Sequence, residues 1–271
     1  MGLDIRIITG PGEVPFPGYL VMRLARHWKE EGHRVFVGPA REVSGDVAIL
    51  HVDRTRVPAE LLPRNPSGIP LLNGGVLDIS KRAVSRNLVR RGDGYRGPVM
   101  IKTDANHFGV PEARARRFGL LRYSVEKALP WRFSRTLPRG KYPVLDTPDQ
   151  VPDWVWEEDG LVVERFLPDM VEGLYALRMW IFFGRAEYGA VIYGREPVVK
   201  VANSVRWEYH HSVPDSLRAE RERLGFDFGK FDYVERDGHA CLLDANKTPS
   251  ISGPPTPNSK RLADQLSGFL E

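Results

Sequence analysis

The chain has 271 residues and a formal net charge of +4, with 42% hydrophobic and 27% charged residues. These proportions exclude a disordered or collagen-like chain, and the length suits one compact unit or two to three subdomains. The single cysteine, Cys241, excludes an internal disulfide, no apolar run nears membrane-spanning length, and MGLDIRIITG lacks a charged leader, so the chain reads as soluble and cytoplasmic.

Residues 3–9 read as a buried strand ended by Gly10–Pro11–Gly12. That turn is not a dinucleotide fingerprint, because the third glycine and the acceptor acid are missing and Pro11 removes an amide donor. Leu20, Val21, Leu24 and Trp28 then recur at helical spacing, and Gly32 is a natural stop. Strands follow at 34–37 and 46–51, and the β-α-β-β order predicts a small parallel α/β domain. Residues 53–72 read as a connector. A second helical stretch lies within 73–91, with Ser80 able to cap it, Lys81 at its start, and Ala83, Val84 and Leu88 on one face. GPVMIK, residues 97–102, is a short apolar strand ending in Lys102. A buried ammonium there needs an anionic partner.

Charge is concentrated in the next stretch. From Asp104 to Lys141 nine Lys/Arg face three Asp/Glu, a local +6 that leaves −2 elsewhere. Arg114, Arg116, Arg117, Arg132, Arg135 and Arg139 alternate with Phe118, Tyr123, Trp131 and Phe133. An anionic partner at 104–140, whether phosphate, acidic substrate or nucleic acid, would suit that pattern, and a solvated basic loop is the plain alternative. Strand structure resumes at 141–146 and again at 161–168, LVVERFLP. In 177–183, Leu177, Met179, Ile181 and Phe183 face one way and Arg178, Trp180 and Phe182 the other. Residues 186–193 and 197–202 continue an antiparallel sheet, and 215–224 read as a helix before Gly225. His210 and His211 are adjacent and point apart on a strand, which argues against zinc.

The last motif, FDFGKFDYVERDGHACLLDANKTPS at 226–250, reads as a β-hairpin around Asp237–Gly238. A two-residue loop would mix charged and apolar residues on each face. A three-residue loop, Arg236–Asp237–Gly238 with Gly238 in a bulge, puts Phe231, Tyr233, Cys241 and Leu243 on one face and Asp232, Asp244 and Asn246 on the other. Two carboxylates and an amide oxygen then converge, a half-site for Mg²⁺ with phosphate oxygens. The alternative is a surface hairpin whose acids face water.

The closing hairpin, with the D-x-N and the turn at Lys247–Pro249, resembles that of the ATP-grasp superfamily, similar to ligases that add glutamate to protein termini and to D-alanine–D-alanine ligase. The resemblance spans roughly 75–255. It implies an N-terminal α/β domain (1–74) that helps bind the acid substrate, a small ATP-grasp lobe (75–168) carrying the atypical basic insertion, and a large lobe (169–271) carrying the hairpin. It assigns Mg²⁺ to Asp232, Asp244 and Asn246, and ATP phosphates to Lys81 and Lys102. Backbone recognition of adenine falls to Glu164, Arg165 and Phe166, the ribose hydroxyls to Glu172, and the γ-phosphate to Arg178, for which a salt bridge is the structural alternative. The implied activity is ATP- and Mg²⁺-dependent ligation of a small-molecule or peptide carboxylate to an amine through an acylphosphate. The alternatives are a small-molecule kinase of this fold or a nucleotide- or nucleic-acid-binding accessory protein without turnover.

Overall fold

The computed structural model describes residues 2–13, 15–115, 141–210, 212–251 and 257–270, with Ser124, Trp131 and Leu137. Strand β1 (Asp4–Ile8) is the centre of the first sheet. It pairs in parallel with β2 (Arg34–Gly38) and β3 (Val47–Leu50), and β4 (Leu71–Leu72) extends the order to β2-β1-β3-β4. β4 lies inside the stretch expected to be a bare connector. Alternation places Ile5 and Ile7 against helix Leu20–Glu30, while Ile8, Ala48 and Leu50 pack on the other face. That helix buries Leu20, Val21, Leu24 and Trp28, the stripe anticipated from their spacing.

β3 runs directly into His51, which is 1% exposed. Burial pushes its imidazole down to about 4; Lys247 adds to that, while Asp53 and a backbone hydrogen bond oppose it. The folded protein therefore holds His51 neutral, and the unfolded chain takes up the proton first on acidification. Stability attributable to this group is whole above pH about 6.5 and declines as pH falls towards about 4, by up to about 3 kcal/mol. Urea midpoints across that window should fall in the wild type and fall less in His51→Gln.

The second sheet is antiparallel: β5 (Val99–Thr103) lies between β6 (Val144–Leu145) and β7 (Leu161–Arg165). Val99, Ile101 and Val163 face a separate apolar cluster, so Met100, Lys102 and Glu164 point the opposite way. Between these two sheets in the chain the helical stretch expected within 73–91 reduces to one turn, Lys81–Val84, capped by the Ser80 hydroxyl accepting from the Ala83 N–H. Ser85 is already extended, and Leu88–Val89 run alongside β7 instead.

The third sheet holds β8 (Met170–Val171), β9 (Leu174–Phe183), β10 (Ala186–Gly194), β11 (Ser204–His210), β12 (Phe228–Arg236) and β13 (His239–Asn246). Its order is β11-β10-β9-β12-β13, with β8 on the start of β9. The expected strand at 197–202 is displaced: Val201–Asn203 is a 3₁₀ turn and the edge strand is β11. Met179, Ile181 and Phe183 share a core with the first sheet's helix, where the Trp28 and Phe183 rings lie 5.8 Å apart. Trp180, Phe182, Phe231 and Tyr233 fill a second core on the other face, together with Leu217 of helix Asp215–Leu224. Helix Pro257–Ala263, not anticipated, closes the first core with Leu262 and receives the Trp28 Nε1–H on the Ala263 carbonyl.

Candidate active site

The hairpin β12–β13 turns in two residues, with Asp237 at φ 52° and Gly238 at φ 76° and Arg236 facing His239. Positive φ at both positions is the twist-matched hairpin turn. The three-residue loop is therefore corrected. The extra residue lies in the strand at Leu243, where the register shifts from Tyr233↔Leu242 to Asp232↔Asp244. One inserted residue restores the same parity whether it sits in the turn or the strand. Asp232 and Asp244 are direct cross-strand partners and Asn246 faces Lys230. Near the turn the apolar face is Tyr233 and Leu242, and Cys241 is only half-buried.

Below these acids lies a cavity of about 490 Å³ between the second and third sheets, within the range of small-ligand sites. Met100, Lys102, Met179, Asp232, Asp244 and Asn246 all line it, as does Lys81. Its polar lining pairs lysines with carboxylates. Lys81 Nζ donates to Asp244 Oδ1 at 2.6 Å, and Lys230 Nζ donates to Asp232 Oδ2 at 2.9 Å. Lys81 is 3% exposed. Burial pushes its ammonium down, but the charge and hydrogen bond of Asp244 outweigh that and leave it raised. Burial also raises Asp232, whose Oδ1 has no hydrogen-bond donor despite lying 2.9 Å from Lys230 Nζ as an ion pair. The Asn246 side-chain carbonyl accepts from the Thr248 N–H at 2.9 Å, which fixes the turn leaving the hairpin.

The position of Lys81 is fixed by a residue that the sequence did not single out. Asp104, 2% exposed, receives the Lys81 N–H on its backbone carbonyl and the Arg82 N–H on its carboxylate, and also binds Arg56. Lys230 was likewise missed, although alternation from Asp232 along one strand would have pointed to it. Lys102 finds the anion that its burial demands in Glu164 Oε2, 2.5 Å away across β5–β7. Glu164 is 1% exposed and neither oxygen has hydrogen-bond geometry to a donor, so the contact is a charge pair. Tyr142 also lines the cavity, and burial pushes its phenol up to about 12.

Three expected roles meet a different geometry. Arg165 and Phe166 line the cavity, but their N–H groups are taken by the carbonyls of Asn87 and Pro98, so only carbonyl oxygens or the chain beyond them can face a ligand. Arg178 is paired across the sheet with Tyr233, while Met179 is paired with Asp232. Its guanidinium therefore lies on the face opposite the acids, donating to Asp169 Oδ2 at 2.9 Å, the salt bridge that was the structural alternative. Glu172 occupies a tight turn at φ 51° and accepts from Arg206 Nη1 at 2.7 Å; it does not line the cavity. Lys200 does, with its Nζ 4.5 Å from the Phe108 ring centroid. The basic stretch beyond residue 115 lies outside the described residues, apart from Ser124, Trp131 and Leu137.

Among the described residues no group of three or more His, Cys, Asp or Glu gathers, and no helix is long and apolar enough to cross a membrane. No family model and no curated protein matches this sequence. Solved structures do. The RimK domain ATP-grasp protein from Sphaerobacter thermophilus is 14% identical with a TM-score of 0.50, covering 98% of this chain and 99% of its own. The ATP-grasp ligase PsnB, solved with a minimal precursor, is 13% identical with a TM-score of 0.50 and full coverage of both chains.

Proposed function

We propose that this chain, which has the ATP-grasp fold, is an ATP-dependent ligase joining a carboxylate to an amine through an acylphosphate. The observation that carries this reading is the single cavity in which Lys81 and Lys102 share walls with Asp232, Asp244 and Asn246. Lysines hold phosphate oxygens, and oxygen-bearing acids hold a hard dication. The donor set fits Mg²⁺: Asp232 is buried with an oxygen that lacks a donor, and Asp244 stands opposite it. Asp232, Asp244 and Asn246 would hold the ion, which supplies neutralisation of phosphate charge.

The protein's own groups position the reactants. Met100, Phe166 and Leu177 offer an apolar bed for the base, and Lys102 and Lys81 neutralise the phosphates along the floor. A substrate carboxylate oxygen bonds to the γ-phosphorus as the bond to ADP breaks. The amine then adds to the acyl carbon, phosphate leaves with the C–O electron pair, and the amine proton passes to solvent. No nucleophile on the protein is required. PsnB was solved with a minimal precursor, and the acids tried include peptides as well as small molecules.

A screen of acid–amine pairs with Mg²⁺–ATP, reading ADP and free phosphate together, tests this. Equal ADP and phosphate with loss of both substrates is the expected result. ADP matched by a phosphorylated acid would identify a kinase, and saturable ATP binding without ADP across the screen would leave a binding protein.

A further inference from the structure

The two acids that face each other across the closing hairpin are each matched by a lysine of the same cavity. Lys230 Nζ lies 2.9 Å from both oxygens of Asp232, and Lys81 Nζ lies 2.6 Å from Asp244 Oδ1. The side-chain carbonyl of Asn246 is engaged as well, by the Thr248 N–H. Together the two pairs are neutral, and they stand side by side because Asp232 and Asp244 are cross-strand partners. For Asp232 and Asp244 to turn their oxygens to a dication, both ammonium groups must give way.

The two lysines differ in where they can go. The Lys230 side chain is 20% exposed and can turn towards water. The Lys81 side chain is buried, and its main chain is fixed. Its N–H donates to the Asp104 carbonyl, and its carbonyl accepts from the Ser85 N–H. An ammonium so placed stays in the cavity when it leaves Asp244, and an unpaired charge there is costly. Phosphate oxygens entering the same cavity supply the replacement anion. Without a dication those phosphates meet the opposite fault, since Asp232 and Asp244 still hold the lysines and repel the incoming charge.

We propose that Lys81 and Lys230 are exchange residues, which leave Asp244 and Asp232 for phosphate oxygens and so make metal binding conditional on the triphosphate. The proposal rests on the nucleotide site of the ligase reading and adds the rule by which that site fills. Removing one exchange lysine frees its acid, so the variant gains affinity for a bare dication. A lysine that served only the fold would give no such gain. By linkage, the metal tightens nucleotide binding by the same factor as the nucleotide tightens metal binding.

The test titrates the full chain with Mn²⁺, which shares the preference of Mg²⁺ for carboxylate oxygens. No nucleotide is present, and free Mn²⁺ is read by electron paramagnetic resonance. Lys81→Met and Lys230→Met should each bind Mn²⁺ at least about tenfold more tightly than the wild type. By calorimetry the wild type should bind ATP at least about tenfold more tightly in Mg²⁺ than in EDTA, and that ratio should shrink in both variants. An unchanged or weaker Mn²⁺ affinity in either variant, or an undiminished ratio, would overturn the assignment. Should Lys81→Met not fold, Lys230→Met alone decides. Because the Mn²⁺ titration holds no nucleotide, a failed exchange is read apart from a failed nucleotide site, which shows as the loss of any melting shift with Mg²⁺–ATP.

Discussion

Asp232→Asn abolishes the rise in melting temperature that Mg²⁺–ATP gives the wild type, with little change in the melting of the free protein. At a ligand concentration near one hundred times Kd that rise corresponds to about 2.7 kcal/mol, or roughly 5–10 °C for a chain of this length. The neutral amide costs little in the free protein because burial already disfavours the Asp232 carboxylate, and half-buried Lys230 can turn towards water. Asp244→Ala behaves differently. It removes the same ligand-dependent shift but strands the ammonium of Lys81, which is 3% exposed and held at 2.6 Å. Breaking a buried pair on one side costs about 3–5 kcal/mol, so the free protein melts well below the wild type. Scanning calorimetry with and without Mg²⁺–ATP separates the two effects. A wild-type ligand shift retained in Asp232→Asn would remove the hairpin from the nucleotide site.

How far the sequence reveals this site depends on the range of the contact concerned. Parity along a strand is local, so the common face of Asp232, Asp244 and Asn246 was legible, and the structure keeps it even though the extra residue sits at Leu243 rather than in the turn. Burial of Lys102 likewise demanded an anion, but Glu164 satisfies it from a strand some sixty residues later, and no local pattern names that partner. Arg178 shows the limit most clearly. Alternation showed that it faces away from Met179, but which face of β9 borders the cavity is decided by pairing with β12, where Met179 meets Asp232. The short helix at Lys81 was legible from Ser80, whereas its truncation was not, because Leu88 and Val89 gain backbone partners on β7 that outweigh helical propensity. On the large sheet, Val205, Trp207 and Tyr209 of β11 are exposed, so the edge strand lacks the buried stripe by which strands are usually recognised.

The Lys102–Glu164 pair supplies the sharpest separation of stability from ligand binding. Lys102→Met leaves Glu164, 1% exposed, without its cation, and the expected cost is about 3–5 kcal/mol. If the pair served only the fold, replacing both members with apolar residues would restore everything, since such exchanges are often neutral or stabilising by about 1–4 kcal/mol. Lys102→Met/Glu164→Leu should indeed recover most of the urea-unfolding free energy lost in the single variant. It should not recover the Mg²⁺–ATP melting shift, because Lys102 reaches the cavity floor and no other group on β5 carries positive charge. A buried cation matched by one carboxylate has little to gain from a second anion unless that anion brings its own neutralising charge, as a metal-bound triphosphate does. Recovery of both stability and the nucleotide shift in the double variant would mean that the pair is a strut between two strands and that the phosphates lie elsewhere in the cavity.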